Sequence, residues 1–229
     1  MTIQSESVLN SPVFWYNEPM KNRKEFIDQL QEKVTIVAVS KNRSREEIEQ
    51  LYREGISIFG ENKVQELVSK TRKDDPWQWH FIGHLQTNKV KEVVSQCCLI
   101  HSVDSIRLLH EINRQAEKAK KVMDILIQIN LSSEESKFGC AREEVKPILD
   151  EISRLNHVCF RGIMVMGPLS EDKNRTLAVF CEAKQWFDKI KKTHPSIDIL
   201  SMGMSGDYPL AIDSGSTMVR IGTLLFEWD

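Results

Sequence analysis

The sequence predicts a single (β/α)8 barrel of the α/β class, and three observations carry that expectation. Short runs rich in β-branched and apolar residues alternate with stretches of helical periodicity from residue 35 to residue 226. These strand-like runs are apolar nearly throughout, as in a parallel sheet covered on both faces. Eight of them in about 200 residues suit a closed barrel better than an open doubly wound sheet, the competing arrangement that periodicity alone does not exclude.

The elements follow in order. Residues 21–33 are charged with a thin apolar repeat (Phe26, Ile27, Leu30) and read as an amphipathic helix. "TIVAVSK" (35–41) is bounded by polar residues and reads as a buried strand. Ser44 with Glu47 three residues later is a capping-box pattern, so 45–54 is a helix, ended by Gly55. "ISIFGEN" (56–62) then precedes a helix over 63–72, "WQWHFIG" (77–83) precedes 86–95, and "CLIHSV" (98–103) precedes 105–120. "VMDILIQIN" (122–130) leads through a loop to 143–154, and "VCFRGIMVM" (158–166) leads to a long helix over 171–192. "IDILSMGM" (197–204) precedes a short helical piece near 207–213, and "TMVRIGTLLF" (217–226) reads as the eighth strand.

Composition narrows the function. The 229 residues, 41% hydrophobic and 28% charged, suit one barrel domain over 14–229 behind a flexible lead-in of residues 1–13. Thirty-one basic and 33 acidic residues, mixed along the chain, leave a net charge of −2 and no block that invites nucleic acid. Five cysteines without a C-x-x-C pair, mostly in apolar runs, suggest a reducing compartment. There is no signal-peptide pattern and no apolar run of about 18 residues, so the expectation is a cytoplasmic protein without membrane contact. Neither G-x-G-x-x-G nor a P-loop motif occurs.

A barrel of this kind carries its site at the carboxyl ends of its strands. Standing there are Lys41; Gly60, Glu61 and Asn62; Gly83 and His84; Ser102 and Asp104; Asn130; Met166 and Gly167; Met204 and Ser205; Gly222 and Thr223. "SMGMSGD" (201–207) and "RIGT" (220–223) put glycines and hydroxyls at strands 7 and 8, where barrels often bind phosphate through backbone N–H groups. Alone, each such cluster is more often just a turn; both at the expected strands favour the phosphate reading. Lys41 at the end of strand 1 would lose solvation beside apolar walls, which favours a neutral, nucleophilic amine able to condense with an aldehyde. A lysine that merely reaches solvent from a strand end is the other reading. An aldehyde that also carries a phosphate uses both features, and pyridoxal 5′-phosphate is such a molecule.

Other residues carry weaker stories. His80 and His84 have metal-like spacing, but on a strand end they need not converge, so no metal site is assigned. Cys97 and Cys98 are adjacent, point to opposite faces and read as packing residues. Glu134, Glu135 and Lys137 form a polar loop over the mouth, a lid or simply a solvated loop. Trp77, Trp79 and Phe81 alternate and read as packing between sheet and helices.

Taken in order, "AVSK" (38–41), "FGENKVQE" (59–66), "WHFIGHLQTNK" (79–89), "SVDS" (102–105), "QINLSSEESKFG" (128–139), "RGIMVMG" (161–167) and "SMGMSGDYPLAIDSGSTMVRIG" (201–222) resemble the YggS/PROSC family of pyridoxal-phosphate homeostasis proteins. That family looks like the barrel half of fold-type III enzymes such as alanine racemase. The resemblance implies that Lys41 holds pyridoxal phosphate as a Schiff base, that Ser205, Gly222 and Thr223 bind its phosphate, and that Arg220 faces the pyridine nitrogen. It places Asn62 against the ring or its oxygen and Met166 against a ring face. An always-protonated Arg220 would leave the ring nitrogen unprotonated and the ring a poorer electron sink.

The chain stops three residues after Phe226, so the expectation is a barrel lacking the C-terminal β-domain that gives racemases an opposing base. The implied function is intracellular pyridoxal-phosphate homeostasis: a monomeric, non-catalytic carrier that holds and delivers the cofactor to PLP-dependent apo-enzymes. A small amino-acid racemase is the alternative. Three departures from the family pattern stand out. Glu227 follows the phenylalanine where glycine is common, Lys63 replaces a frequent tyrosine, and the proline often found shortly after the lysine is missing.

Overall fold

The computed structural model describes residues 22–132 and 138–228. The lead-in expected at residues 1–13 and the loop residues Glu134, Glu135 and Lys137 lie outside them.

Among the described residues eight parallel strands close in chain order: β1 (Thr35–Val39), β2 (Ile58–Glu61), β3 (Gln78–Phe81), β4 (Leu99–Val103), β5 (Met123–Ile129), β6 (Val158–Val165), β7 (Ile199–Met204) and β8 (Met218–Ile221). Closure is direct. Thr35, Ile36, Val37 and Ala38 of β1 pair with Met218, Val219, Arg220 and Ile221 of β8, which removes the edges an open sheet would leave. Around the barrel run α1 (Arg23–Gln31), α2 (Arg45–Arg53), α3 (Val64–Lys70), α4 (Val90–Gln96), α5 (Ile106–Lys118), α6 (Val145–Ile152), α7 (Lys173–Lys191), α8 (Tyr208–Asp213) and a last turn, α9 (Thr223–Phe226). Ser44 caps α2 through the reciprocal bonds with Glu47 that the sequence predicts.

Two apolar layers explain why the strands read as continuous apolar runs. Ile36 and Ala38 belong to the large core between strands and helices, while Val37 between them joins Leu99, Leu126, Met164 and Met218 in a smaller cluster filling the barrel. The same two-residue period orders β6 and β8: Ile163, Val165, Val219 and Ile221 face the helices, and Met164 and Met218 face the interior. It follows that Arg220, two residues after Met218, faces the interior. So do Ser201, between Leu200 and Met202, and His80, between Trp79 and Phe81.

The predicted eighth strand over 217–226 requires correction. It ends at Ile221, and Thr223–Phe226 form α9, with the amides of Leu225 and Phe226 bonded to the Gly222 carbonyl. A four-residue apolar run such as "TLLF" fits either period, and Gly222 at φ −111°, ψ −85° turns the chain out of the ladder. Glu227 is then free to ion-pair with Arg43, whose guanidinium lies 5.3 Å over the Phe226 ring. The cysteines also differ from expectation: Cys97 and Cys140 are buried, but Cys98, Cys159 and Cys181 are exposed free thiols. Trp77, Trp79 and Phe81 are buried in the core between strands and helices as expected, with Trp77 edge-on to Trp79 and to Phe59. No helix among the described residues is long and apolar enough to cross a membrane.

Candidate functional site

Lys41 stands just past β1. The Ser40 amide extends the ladder by one bond to the Gly60 carbonyl at 3.1 Å, after which the chain turns through Lys41 and Asn42. Asn42 has φ +58°, a left-handed conformation that asparagine tolerates better than most residues. The enclosure expected around the amine is not what the fold provides: Lys41 is exposed at the open mouth, because the turn carries it beyond the packed strand.

A partly buried ionic cluster fixes that turn. Lys70 Nζ on α3 donates to the Ser40 carbonyl at 2.7 Å, to Glu61 Oε1 at 2.7 Å and to Glu66 Oε2 at 2.9 Å. Ser40 Oγ donates to Glu61 Oε1 at 2.6 Å, and Glu66 Oε2 accepts the Asn42 amide at 2.7 Å. Both neighbours of Lys41 are thus tied to one helix. Burial pushes the Glu61 carboxyl above the usual range against the pull of Lys70 and Ser40. Burial also raises Glu66, but the Asn42 amide and Lys70 outweigh it and bring that carboxyl below the usual range. Sequence reasoning put Glu61 on the rim without a role and passed over Lys70. The available signal was a carboxylate inside an apolar strand, which calls for a cation.

On the neighbouring strand Arg220 is 3% exposed. Its Nη1 donates to Ser201 Oγ at 2.7 Å, and its Nη2 to the Val165 carbonyl at 3.1 Å and Met166 Sδ at 3.2 Å. Among the described residues no carboxylate ion-pairs with it. Burial brings its pKa down to about 10, with Asp207 opposing, so it remains charged at neutral pH. Met166, predicted as a ring-face residue, is here a partner of the guanidinium.

The predicted phosphate residues also converge. Ser205, past β7, accepts the Gly222 amide at 3.2 Å and so joins the ends of β7 and β8. Thr223 opens α9 and is exposed, and the leading amides of that turn have no intrahelical acceptor. A Cβ at Gly206 would meet nothing within 4 Å. Across the mouth Asn62 is half-buried, and its Oδ1 is buried without a partner among the described residues. Gly83 sets its position: a Cβ there would lie 2.0 Å from the Asn62 carbonyl oxygen.

The histidine pair separates. His84 stacks on Phe138 with ring centroids 4.1 Å apart and lies 3.7 Å from Asp104, whereas His80 is buried against His101. Burial lifts the Asp104 carboxyl above its usual range, with His84 pulling the other way. Among the described residues no three metal-ligating side chains form a group.

The site therefore offers an amine on a pinned turn, hydroxyl and amide donors at β7 and β8, a buried cation held by neutral groups, and an unsatisfied amide oxygen. That set fits an anionic, ring-bearing aldehyde such as pyridoxal phosphate.

Comparison with known proteins agrees. The family described as the alanine racemase N-terminal domain matches residues 20–228. The pyridoxal phosphate homeostasis protein of Pasteurella multocida is 40% identical over 199 residues, 84% of this chain and 85% of its own. That of Aquifex aeolicus is 39% identical over 194 residues, 83% of this chain and 85% of its own. Among solved structures, PipY of Synechococcus elongatus PCC7942 with PLP bound has a TM-score of 0.80 at 33% identity, over 89% of this chain and 99% of PipY. A Clostridium difficile alanine racemase in complex with cycloserine has a TM-score of 0.71 at 14% identity, over 90% of this chain and 59% of its own, a likeness of fold alone. The chain belongs to the alanine racemase N-terminal domain family and, within it, to the pyridoxal phosphate homeostasis proteins.

Proposed function

We propose that this protein binds pyridoxal 5′-phosphate on Lys41 and holds it for intracellular supply to PLP-dependent apo-enzymes. One observation carries the reading: β8 is hydrogen-bonded to both β1 and β7, so Lys41, Arg220 and the Ser205–Gly222 contact open on one mouth. Bound there, the cofactor supplies an aldehyde that condenses with a lysine amine. Ser205 and Thr223 hold its phosphate by hydroxyl and amide hydrogen bonds, and Gly222, whose own amide donates to Ser205 Oγ, lets the phosphate approach the backbone. Arg220 faces the ring nitrogen as a fixed positive charge, and Met166 steadies the guanidinium as well as the ring. Asn62 turns its free oxygen toward a donor on the ring side.

A carrier fits this site better than a racemase. The relatives near 40% identity are named for homeostasis, while the racemases share the fold alone. The protein acts in the cytoplasm as a monomer, and the exposed Lys41 suits handing the aldehyde on.

Titration of the purified protein with pyridoxal phosphate tests this. A visible absorption band that saturates near one equivalent, survives gel filtration and is lost in Lys41→Ala is expected, as is transfer to an added apo-enzyme. Failure to bind contradicts the proposal. Sustained α-proton exchange of amino acids in deuterated water, at enzyme-like turnover, would replace the carrier with a racemase.

A further inference from the structure

Behind the mouth a line of polar side chains crosses the barrel through its apolar interior. Arg220 Nη1 donates to Ser201 Oγ at 2.7 Å, Ser201 Oγ lies 3.2 Å from His101 Nδ1, and His101 Nε2 lies 3.0 Å from His80 Nδ1. All four residues are buried: Ser201 and His101 at 0% exposure, His80 and Arg220 at 3%. They come from β8, β7, β4 and β3. In a closed ring of eight, β4 and β7 meet only across the interior. The line ends at the other face of the barrel, where His80 borders a cavity of about 430 Å³ that also meets Arg161, itself paired with Asp124 and Asp198.

The chemistry of each group fixes the direction of every bond. A guanidinium has only donors, so Ser201 Oγ accepts from Arg220, and its own hydrogen goes to His101 Nδ1, its one other partner among the described residues. A neutral imidazole that accepts at Nδ1 carries its proton on Nε2, so His101 donates to His80 Nδ1 and His80 in turn holds its proton on Nε2. Burial supports neutrality. It brings the His80 pKa down to about 3, and it lowers His101 well below the ordinary value, with His80 and Arg220 adding to the effect. A second charge beside Arg220 would be unscreened in this interior. Reversing the Ser201–His101 bond would leave the buried Ser201 hydroxyl hydrogen without an acceptor among the described residues, and reversing the next bond alone would leave His101 with no proton on either nitrogen, so the order propagates along the whole line.

We infer that Ser201, His101 and His80 are positioning residues for Arg220: a one-way chain of hydrogen bonds across the barrel, with both histidines as Nε2–H tautomers, fixes where the guanidinium charge points. The inference about Arg220 and the ring nitrogen rests on the proposed cofactor role; the tautomer assignment does not. Three of the guanidinium's contacts are spent on Ser201, Val165 and Met166, and its remaining N–H groups are held in place for a ring acceptor.

Nitrogen-15 NMR of the labelled full chain reads the tautomers directly, with His80→Gln and His101→Gln giving the assignments. Both histidines are expected as neutral Nε2–H forms, with and without added pyridoxal phosphate. An Nδ1–H tautomer at His101, or an imidazolium at neutral pH, overturns the chain. Ser201→Ala is expected to scramble the His101 tautomer, shift the visible band of the loaded protein and release the cofactor several-fold faster, while Ser201→Thr restores all three. An unchanged band and release rate in Ser201→Ala overturn the positioning role. Borohydride trapping of pyridoxal phosphate on wild-type protein runs alongside. If it finds no adduct on Lys41 while the tautomers are as assigned, the cofactor reading fails and the chain stands.

Discussion

Lys70 on α3 donates to the carbonyl of Ser40 at 2.7 Å, gripping the chain one residue before Lys41. The same ammonium neutralises Glu61, which is 0% exposed. Lys70→Met leaves that carboxyl without its cation. Removing one partner of such a pair costs roughly 2 to 4 kcal/mol after allowance for the partly exposed Lys70. Urea unfolding is expected to show that loss, and adding Glu61→Gln to Lys70→Met is expected to recover part of it. Cofactor uptake should slow in the single variant because the Ser40 carbonyl loses its donor, and Glu66, which holds the Asn42 amide, loses its cation. Wild-type stability in Lys70→Met would show the cluster to be incidental.

The buried histidines make acid stability asymmetric. Free imidazoles take up protons near pH 6.5, whereas burial holds His80 unprotonated down to about pH 3. Between those values the unfolded chain binds the extra proton, so stability falls as pH drops through the window, by up to about 1.4 kcal/mol per pH unit for one imidazole. His80→Gln removes one imidazole's share of that dependence and leaves that of His101. Denaturant midpoints measured from pH 7 to pH 4 are expected to fall less steeply in the variant, and parallel curves would contradict the burial.

Arg220 is a charge kept in the interior without a paired carboxylate among the described residues. Such a group serves function at the expense of stability. Arg220→Met is expected to leave the cofactor-free protein as stable as wild type or about 1 kcal/mol more so, by thermal unfolding. The same variant should bind pyridoxal phosphate less tightly, with an altered visible band. A large stability loss with normal binding would reverse the assignment.

Gly83→Ala tests the placement of Asn62. Its new Cβ would lie 2.0 Å from the Asn62 carbonyl oxygen, so the β2 and β3 ends must part. Overpacking of this kind costs typically 1 to 3 kcal/mol. Weaker cofactor binding is expected with it, and an unaffected titration would remove Asn62 from the site.

How far the sequence could be read depends on what each residue needed. Strand runs such as "TIVAV" and "DILIQI" announced themselves because both faces are largely buried, which leaves β-branched and apolar residues at most positions. Ser205, Gly222 and Lys41 were legible from their places at strand ends, since the topology alone sends those ends to one rim. The last turn was not, because "TLLF" carries no period long enough to separate helix from strand. Nor were the partnerships of Glu61 with Lys70, or of His80 with His101, 21 residues apart. Those depend on which strand neighbours which, and on α3 lying against the end of β1. Lys41's exposure likewise follows from the turn at Asn42, whose positive φ no residue pattern in "SKNRS" announced.

The covalent attachment point is the most direct test of the whole account. The purified chain is mixed with pyridoxal phosphate, reduced with borohydride, digested and mapped by mass spectrometry. The account requires the pyridoxyl mass on the peptide that contains Lys41, and its loss in Lys41→Ala. Modification at another lysine in place of Lys41, or no specific adduct at all, would contradict it.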